Sequence, residues 1–346
     1  RPEDNIFYYT TCGWMMWNWL FMGLGTGAGI VLFDGNPLFP NPQRLFDIAQ
    51  QSELTFLGVS AKYIDSIRKL SLQPKQTHEL SKLRTIASTG SPLSHEGFEY
   101  VYENISANIH LASITGGTDI CGCFMLGVPN LPVYAGQIQG PALGLDVQVF
   151  AEDGQPAAVG VKGELVCRNT FPSVPLYFWD DPSKSKFRSA YFERFADVWT
   201  HGDFVEVTAE GGYVMHGRSD ATLNAGGVRI GTAEIYRITE EFVEIAETLA
   251  IAQNWEGDTR VVLFVKLSDG ALLSESLKEQ IKIALKQKAS PRHVPTLIMQ
   301  APDFPRTKSN KLVEIAVANE INKVTNTNLG ALANPESLDW FRDLNL

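Results

Sequence analysis

Cysteine is scarce in this chain: Cys12, Cys121, Cys123 and Cys167 are the whole complement among 346 residues. They are too few and too unevenly spaced for a disulfide framework, and no C-x-x-C pair occurs, so the expected setting is reducing and cytoplasmic. Blocks of like charge are missing as well. Lys and Arg number 29 against 39 Asp and Glu, a formal net charge of −10 with no basic run. That balance argues against a nucleic-acid partner and requires any anionic ligand to be held locally. The signatures H-E-x-x-H, G-x-S-x-G and G-x-G-x-x-G are absent, which leaves zinc-peptidase, nucleophile-elbow and Rossmann chemistry without support. No internal repeat, low-complexity tract or signal peptide is found. The chain opens on Arg1 rather than Met, and is expected to be part of a longer polypeptide.

One stretch, Trp14 to Phe33, is almost wholly apolar and about long enough to span a bilayer. Gly23, Gly25, Gly27 and Gly29 interrupt it, so it reads as a buried helix followed by a core strand, Ile30–Phe33, and not as a membrane span. After a strand over Asn5–Thr11, helical and β-rich runs alternate from Pro42 to Leu111. The helices are expected at Pro42–Gln51, Ala61–Leu72 and Ser94–Glu103, and the strands at Leu54–Gly58, Leu83–Ser88 and Ile109–Ala112. This alternation predicts an α/β fold with a parallel sheet. Between Gly136 and Tyr213 shorter strands with turn residues predict a small, more antiparallel β region: Asp146–Phe150, Gly163–Arg168 and Asp203–Val207. Past the polar passage after Arg218 a compact α/β segment is expected. Its helices are Thr232–Thr248, Leu273–Ser290 and Lys311–Thr325, its strands Arg260–Leu267 and Thr296–Gln300, and residues 326–334 read as a surface tail. The domain boundary is therefore placed at Ser219–Asp220, giving 1–219 and 220–346.

Clusters rich in glycine or charge lie at predicted strand ends, where open α/β sheets bind ligands. They are Ser88-Thr89-Gly90-Ser91-Pro92-Leu93, Thr115-Gly116-Gly117-Thr118-Asp119, Thr200-His201-Gly202-Asp203 and Gly217-Arg218-Ser219-Asp220, with Pro305 to Lys311 before the last helix. Each alone is a commonplace turn sequence. In this order and spacing they resemble the core motifs of the adenylate-forming superfamily, which includes acyl-CoA synthetases, luciferases and peptide-synthetase adenylation domains. The segment Gly217–Tyr236, GRSDATLNAGGVRIGTAEIY, resembles the hinge and CoA-tunnel segment of acyl-CoA synthetases. It is most similar to the acetoacetyl-CoA synthetase family, as are TTCGWMMW at Thr10–Trp17, GGTDI at Gly116–Ile120 and VWTHGD at Val198–Asp203. The resemblance runs essentially from residue 1 to the end, and implies a large adenylation domain, present in part, followed by a small mobile α/β domain with a hinge at Asp220.

The resemblance implies ATP, Mg²⁺ and CoA as substrates and activating ion. Asp203 would accept both ribose hydroxyls, and Arg218 and Arg229 would contact ribose or phosphate. Taken singly, these are equally a turn aspartate and surface ion-pair partners. Thr118 would place its hydroxyl on phosphate, and Asp119, where the family's usual residue is Glu, would face Mg²⁺. Gly90, Ser91 and Pro92 would form one wall of the adenine slot. Opposite them stands Thr115, next to Gly117, where many relatives carry an aromatic. Lys311 matches the family lysine that neutralises charge building on the α-phosphate. It follows Asn310 where the family has Gly, and Asn is the other residue that tolerates positive φ. Met15, Met16, Thr89 and Gly116 match acyl-site positions. Gly116 stands where acetyl-CoA synthetases place a tryptophan, a side chain of ~150–250 Å² whose loss would admit a four-carbon keto acid. Gly226 and Gly227 would let the CoA pantetheine pass. Trp14, Trp17 and Trp19 read as packing, Lys286, Lys288 and Arg292 as a solvated face, and Cys121 with Cys123 as buried thiols.

The superfamily's Ser/Thr/Gly-rich phosphate loop, which ends in lysine, is absent from these residues. The expectation is thus the C-terminal part of a ligase making acetoacetyl-CoA from acetoacetate, ATP and CoA, missing its N-terminal part and inactive in isolation. Alternatives are another short-chain acyl-CoA synthetase, a CoA-independent adenylate-former, and a nucleotide-binding fragment without turnover.

Overall fold

Short apolar runs separated by amphipathic helices assemble a five-stranded sheet, parallel throughout, in the order β2-β1-β3-β4-β5. Its strands are β1 Asn5–Tyr8, β2 Gly29–Ile30, β3 Phe56–Ser60, β4 Thr85–Thr89 and β5 His110–Ser113. The helices between them are α1 Met15–Met22, α2 Arg44–Gln51, α3 Ala61–Lys69, α4 Pro74–Thr77 and α5 His95–Tyr100. α3 and α5 begin where serine hydroxyls cap them: Ser60 accepts the Tyr63 N–H and Ser94 the Gly97 N–H, each at 3.1 Å. Their apolar stripes, with that of α2, cover one sheet face, packing Phe46, Ile64, Ile67 and Phe98 on Phe7, Leu57, Ile86 and Leu111. Full burial of such a side chain contributes about 1.5–3 kcal/mol. On the other face Tyr8, Met16, Leu20 and Ala87 form a smaller cluster.

The computed structural model describes residues 1–346 apart from Gly226, Gly227, Glu256, Gly257, Ser309, Thr327, Asn328 and Asn345, and the backbone alone of Asn224, Ala225, Val228, Arg229 and Asp258. Two compact units are present: Arg1–His201 with Val205–Met215, and Gly202–Phe204 with His216–Leu346. Beyond the parallel sheet, the first unit holds an antiparallel sheet of β6 Thr115–Gly117, β7 Gly122–Leu126 and β8 Gly140–Pro141. Next come β9 Val147–Phe150, β10 Gly163–Cys167, β11 Trp199–Val207 and β12 Tyr213–Arg218, in the order β12-β11-β10-β9, together with α6 Ser185–Tyr191. Phe124, Phe171, Phe187 and Trp199 centre this region's core. The boundary between units passes through β11 and β12, a few residues ahead of Asp220.

In the second unit β13 Leu223–Ala225 pairs with β14 Val228–Ile230, and a sheet orders β15 Ile245–Trp255, β16 Asp258–Leu267 and β17 Leu297–Gln300. Its helices are α7 Thr232–Thr239, α8 Glu275–Lys288, α9 Glu314–Ile321 and α10 Ser337–Arg342. β16 alternates in the manner of a strand covered on both faces. Val261, Leu263 and Val265 pack with Ile235, Ile281 and Leu285, whereas Val262 and Phe264 pack with Val317 and Phe341.

Several boundaries differ from those expected. The helix expected over Thr232–Thr248 stops at Thr239, and residues from Ile245 form β15, because pairing along β16 offers a full ladder of hydrogen bonds. The helix expected from Lys311 begins at Glu314. The segment 326–334 is no mere surface tail: Leu332 is buried, and the Asn334 side chain accepts the Arg306 N–H at 2.8 Å. The core strand expected at Ile30–Phe33 is a two-residue edge strand, and α1 is only half buried, with Phe21 and Met22 exposed. Cys121 and Cys123 are half-buried. No helix among the described residues is long and apolar enough to cross a membrane.

Tyr8 and Gly58 stand opposite each other across β1 and β3, where a Cβ on Gly58 would lie 2.0 Å from Tyr8 Cδ2. Gly58→Ala is expected to destabilise by about 1–3 kcal/mol through overpacking, read as a lower urea midpoint at unchanged slope; an unchanged midpoint contradicts that packing.

Candidate functional site

The first unit gathers its candidate residues around the C-terminal ends of β4 and β5. Thr89, the last residue of β4, donates its hydroxyl to the Ile114 carbonyl at 2.8 Å, tying β4 to the chain entering β6. Gly90 follows with φ +96°, a conformation that side chains rarely adopt, and the Cβ it lacks would lie 3.8 Å from the Trp14 ring. Ser91 and Pro92 are exposed in the turn after it. Met16 is buried in the cluster with Tyr8, Leu20 and Ala87, and Met15, Trp14 and Trp19 pack against that cluster. Trp14 and Trp19 both meet Tyr8 edge-on, at 6.0 and 5.7 Å.

The glycines of the next motif have a local steric cause. A Cβ on Gly116 would stand 2.1 Å from the Gly122 carbonyl oxygen and 2.4 Å from Cys123 Cα. A Cβ on Gly117 would meet His201 Cε1 at 2.9 Å. The direction of a side chain at Gly116 is therefore into β7 and not into an open slot, so the space argument made from the sequence does not carry over to this backbone. Where a loop was expected, Thr115–Gly117 is β6, and a tight turn follows: the Thr118 carbonyl accepts the Cys121 N–H at 3.0 Å, with Cys121 at φ +46°. Thr118 and Asp119 are exposed at its tip. Tyr191, the last residue of α6, donates its hydroxyl to Asp119 Oδ2.

These groups suit a hard cation only in company. Among the described residues no three His, Cys, Asp or Glu side chains are grouped to hold a metal ion. One carboxylate beside a threonine hydroxyl matches the way Mg²⁺ is bound when phosphate oxygens and water complete its shell.

The second unit brings together Asp203, Arg218, Asp220 and Lys311. Asp203 lies inside β11 and not on a loop; it is 5% exposed, and its Oδ1 accepts Arg218 Nη1–H at 3.1 Å. Arg218 Nε lies 3.6 Å from Asp220 Oδ1. Gly202, at φ +82°, leaves room for the guanidinium, which would stand 2.6 Å from a Cβ there. Lys311 sits in a closed loop: the Thr307 N–H donates to the Lys311 carbonyl at 2.9 Å, and the Lys311 N–H to Thr307 Oγ1 at 3.1 Å. Asn310 takes φ +63°, the conformation expected of it. A pair of half-buried Arg306 and buried Glu247 anchors the loop's entry, with Arg306 Nη1 3.1 Å from Glu247 Oε1. Surrounding protein pushes the Lys311 ammonium below its ordinary pKa, Asp203 opposing that shift and Arg218 adding to it. Arg229 lies in β14 opposite Asn224, with its side chain outside the description. Gly226 and Gly227 lie outside the described residues.

The sequence reading did not find three partners: Tyr191, Arg306–Glu247 and Tyr236–Glu314. Tyr191 was detectable only as part of the aromatic run Tyr191, Phe192, Phe195 and Trp199. Tyr236 donates its hydroxyl to Glu314 Oε1 at 3.2 Å and accepts the Ala250 N–H at 3.1 Å. Burial raises the Glu314 pKa, with Asp220 adding to the rise and the Tyr236 hydrogen bond and Arg218 opposing it.

The fold and both clusters place the chain in a class. It belongs to the AMP-binding enzyme family, whose pattern matches residues 1–174. Within that class it is similar to acetoacetyl-CoA synthetases. It is 56% identical to the acetoacetyl-coenzyme A synthetase of Rhizobium meliloti (strain 1021) over 344 residues, 99% of this chain and 53% of that protein. The Mus musculus acetoacetyl-CoA synthetase is 45% identical, with 99% of this chain and 51% of that protein covered. The solved structure of acetoacetyl-CoA synthetase from Streptomyces lividans superposes with a TM-score of 0.91 at 39% identity, covering 99% of this chain and 53% of that one. The chain thus spans about half the length of these relatives.

A group whose pKa is raised by folding contributes stability that is complete below its ordinary value, here 4.5, and is lost as pH rises through the raised one. Glu314→Gln, which keeps an acceptor for Tyr236 without the charge, is expected to be more stable than the parent at pH 7. Urea midpoints at neutral pH and near pH 4 should converge at the acidic end; a variant less stable at pH 7 would exclude a buried-carboxylate penalty.

Proposed function

We propose that this chain is part of an ATP-dependent acid–thiol ligase that activates acetoacetate to acetoacetyl-CoA. The carboxylate attacks the α-phosphorus of ATP and releases pyrophosphate, and the CoA thiol then attacks the acyl-adenylate and releases AMP. The observation that carries this reading is the likeness to acetoacetyl-CoA synthetases over 99% of the chain, which takes in both units.

The residues divide the work by unit. In the first, Gly90, Ser91 and Pro92 line the adenine on one side and Thr115 and Gly117 on the other. Met15, Met16, Thr89 and Gly116 border the acid. Thr118 donates its hydroxyl to phosphate, and Asp119 presents an oxygen to Mg²⁺, which when bound offsets phosphate charge. In the second, Asp203 accepts the ribose hydroxyls, in exchange for or in addition to Arg218, whose fork then faces phosphate together with Arg229. Lys311 neutralises charge building on the α-phosphate and the carboxylate oxygen. Gly226 and Gly227 give the CoA arm passage, and Asp220 is the hinge between residues 1–219 and 220–346, a turn that absorbs backbone rotation. The 346-residue chain by itself is expected to have little synthetase activity, because triphosphate positioning by a further phosphate loop supplies much of the rate.

Pyrophosphate release by the native full-length polypeptide, with acetoacetate against acetate and with Lys311→Ala, tests the reading. Preference for acetoacetate and a fall of about 10²–10³-fold in the variant are expected. Equal use of acetate would withdraw the substrate, an unaffected variant would withdraw the role of Lys311, and product release that ignores omission of CoA would favour an adenylate-former that needs no thiol.

A further inference from the structure

We propose that Tyr191 is a positioning residue for Asp119: its hydroxyl holds one carboxylate oxygen so that the other is presented in a fixed direction to the cation that accompanies the nucleotide phosphates. The inference rests on the reading of Asp119 given above and adds a residue to it. The two side chains are 72 positions apart in sequence and meet because α6 carries Tyr191 to the tip of the β6–β7 turn.

The tyrosine ring is clamped before its hydroxyl is used. It lies flat on Trp199, with ring centroids 3.7 Å apart and planes 14° from parallel, and Trp199 is 2% exposed. Phe178 and Phe187 meet it edge-on at 6.0 and 5.9 Å. The donor therefore stands on a packed aromatic cluster, whereas its acceptor stands on an exposed turn. Among the described residues no other hydrogen bond or ion pair reaches the Asp119 carboxylate. An aspartate in such a turn otherwise samples several rotamers, and a cation with strict oxygen geometry bears the cost of ordering it.

The chemistry of the donor matters as much as its position. A lysine or arginine in its place would fix the carboxylate and also neutralise it. A phenol fixes it and leaves the full negative charge for the cation. Tyr191 donates to Oδ2, and among the described residues the other oxygen is left without a protein donor. Outer partners of this kind typically influence metal affinity by about 10–100-fold.

Tyr191→Phe keeps the ring and its stack on Trp199 and deletes only the hydroxyl, and Asp119→Asn removes the charge. The probe is Mn²⁺ titrated into the native full-length polypeptide with ATP and followed by electron paramagnetic resonance, beside ATP affinity without metal and the thermal midpoint. Expected for Tyr191→Phe is a roughly 10-fold or greater weakening of Mn²⁺ in the presence of ATP, with metal-free ATP affinity and thermal midpoint unchanged. If Asp119→Asn weakens Mn²⁺ and Tyr191→Phe does not, the positioning role is overturned and the reading of Asp119 stands. A Tyr191→Phe loss that appears equally without metal, or only with a lowered midpoint, reduces Tyr191 to packing and also overturns it. Should the unchanged full-length polypeptide fail to bind Mn²⁺ with ATP, or Asp119→Asn bind it normally, the underlying reading fails and the proposal with it.

Discussion

The backbone of Gly116 and Gly117 lies so close to β7 and to His201 that neither position has room for a Cβ, and the placement of Thr118 and Asp119 follows from that contact. A hairpin held by backbone on backbone has no side chain to repack, so its tip is a rigid extension of β6 and β7. His201 is itself held edge-on to Phe124 at 4.7 Å, inside the cluster that also contains Trp199. The exposed Thr118 and Asp119, proposed above to face phosphate and Mg²⁺, are thus carried by a packed aromatic core, the arrangement by which a surface loop gains precision.

In the second unit charge takes the place of close packing. The loop bearing Lys311 begins at Arg306, which is half-buried against the buried Glu247 of β15, and closes on itself through Thr307. Removing Arg306 would leave the Glu247 charge without this cation in a site largely closed to water, so the pair holds the loop's entry. Tyr236 and Glu314 hold the start of α9 just beyond it. The lysine is presented by a short loop braced at both ends.

The parallel sheet was legible because each strand is a short apolar run and the covering helices α2, α3 and α5 have apolar faces, two of them with a serine at the start, Ser60 and Ser94. β15 was not. T-E-E-F-V-E-I-A-E-T-L-A is rich in helix formers with apolar residues three and four apart, and only its ladder with β16 decides in favour of a strand. The β6–β7 hairpin has too few side chains to show any period. Among candidate site residues, Lys311, Asp203 and the Gly-Thr-Asp turn stood out because they lie in contiguous motifs. Tyr191 and Glu247 did not, since each acts on a partner more than fifty residues away, and nothing local in the chain records that distance.

Gly202 has a consequence of a different kind. Its backbone is at φ +82° and the space where its side chain would begin is filled by the guanidinium of Arg218. A substitution at Gly202 alone meets both obstacles, and loss of Arg218 alone removes the steric one but leaves the backbone one. The two positions are therefore tied: losing Arg218 takes a donor from the buried Asp203 carboxylate, and no order of single steps frees Gly202 unless the turn of the strand changes with it. In a lineage of such chains the glycine and the arginine it was shaped around are expected to persist together.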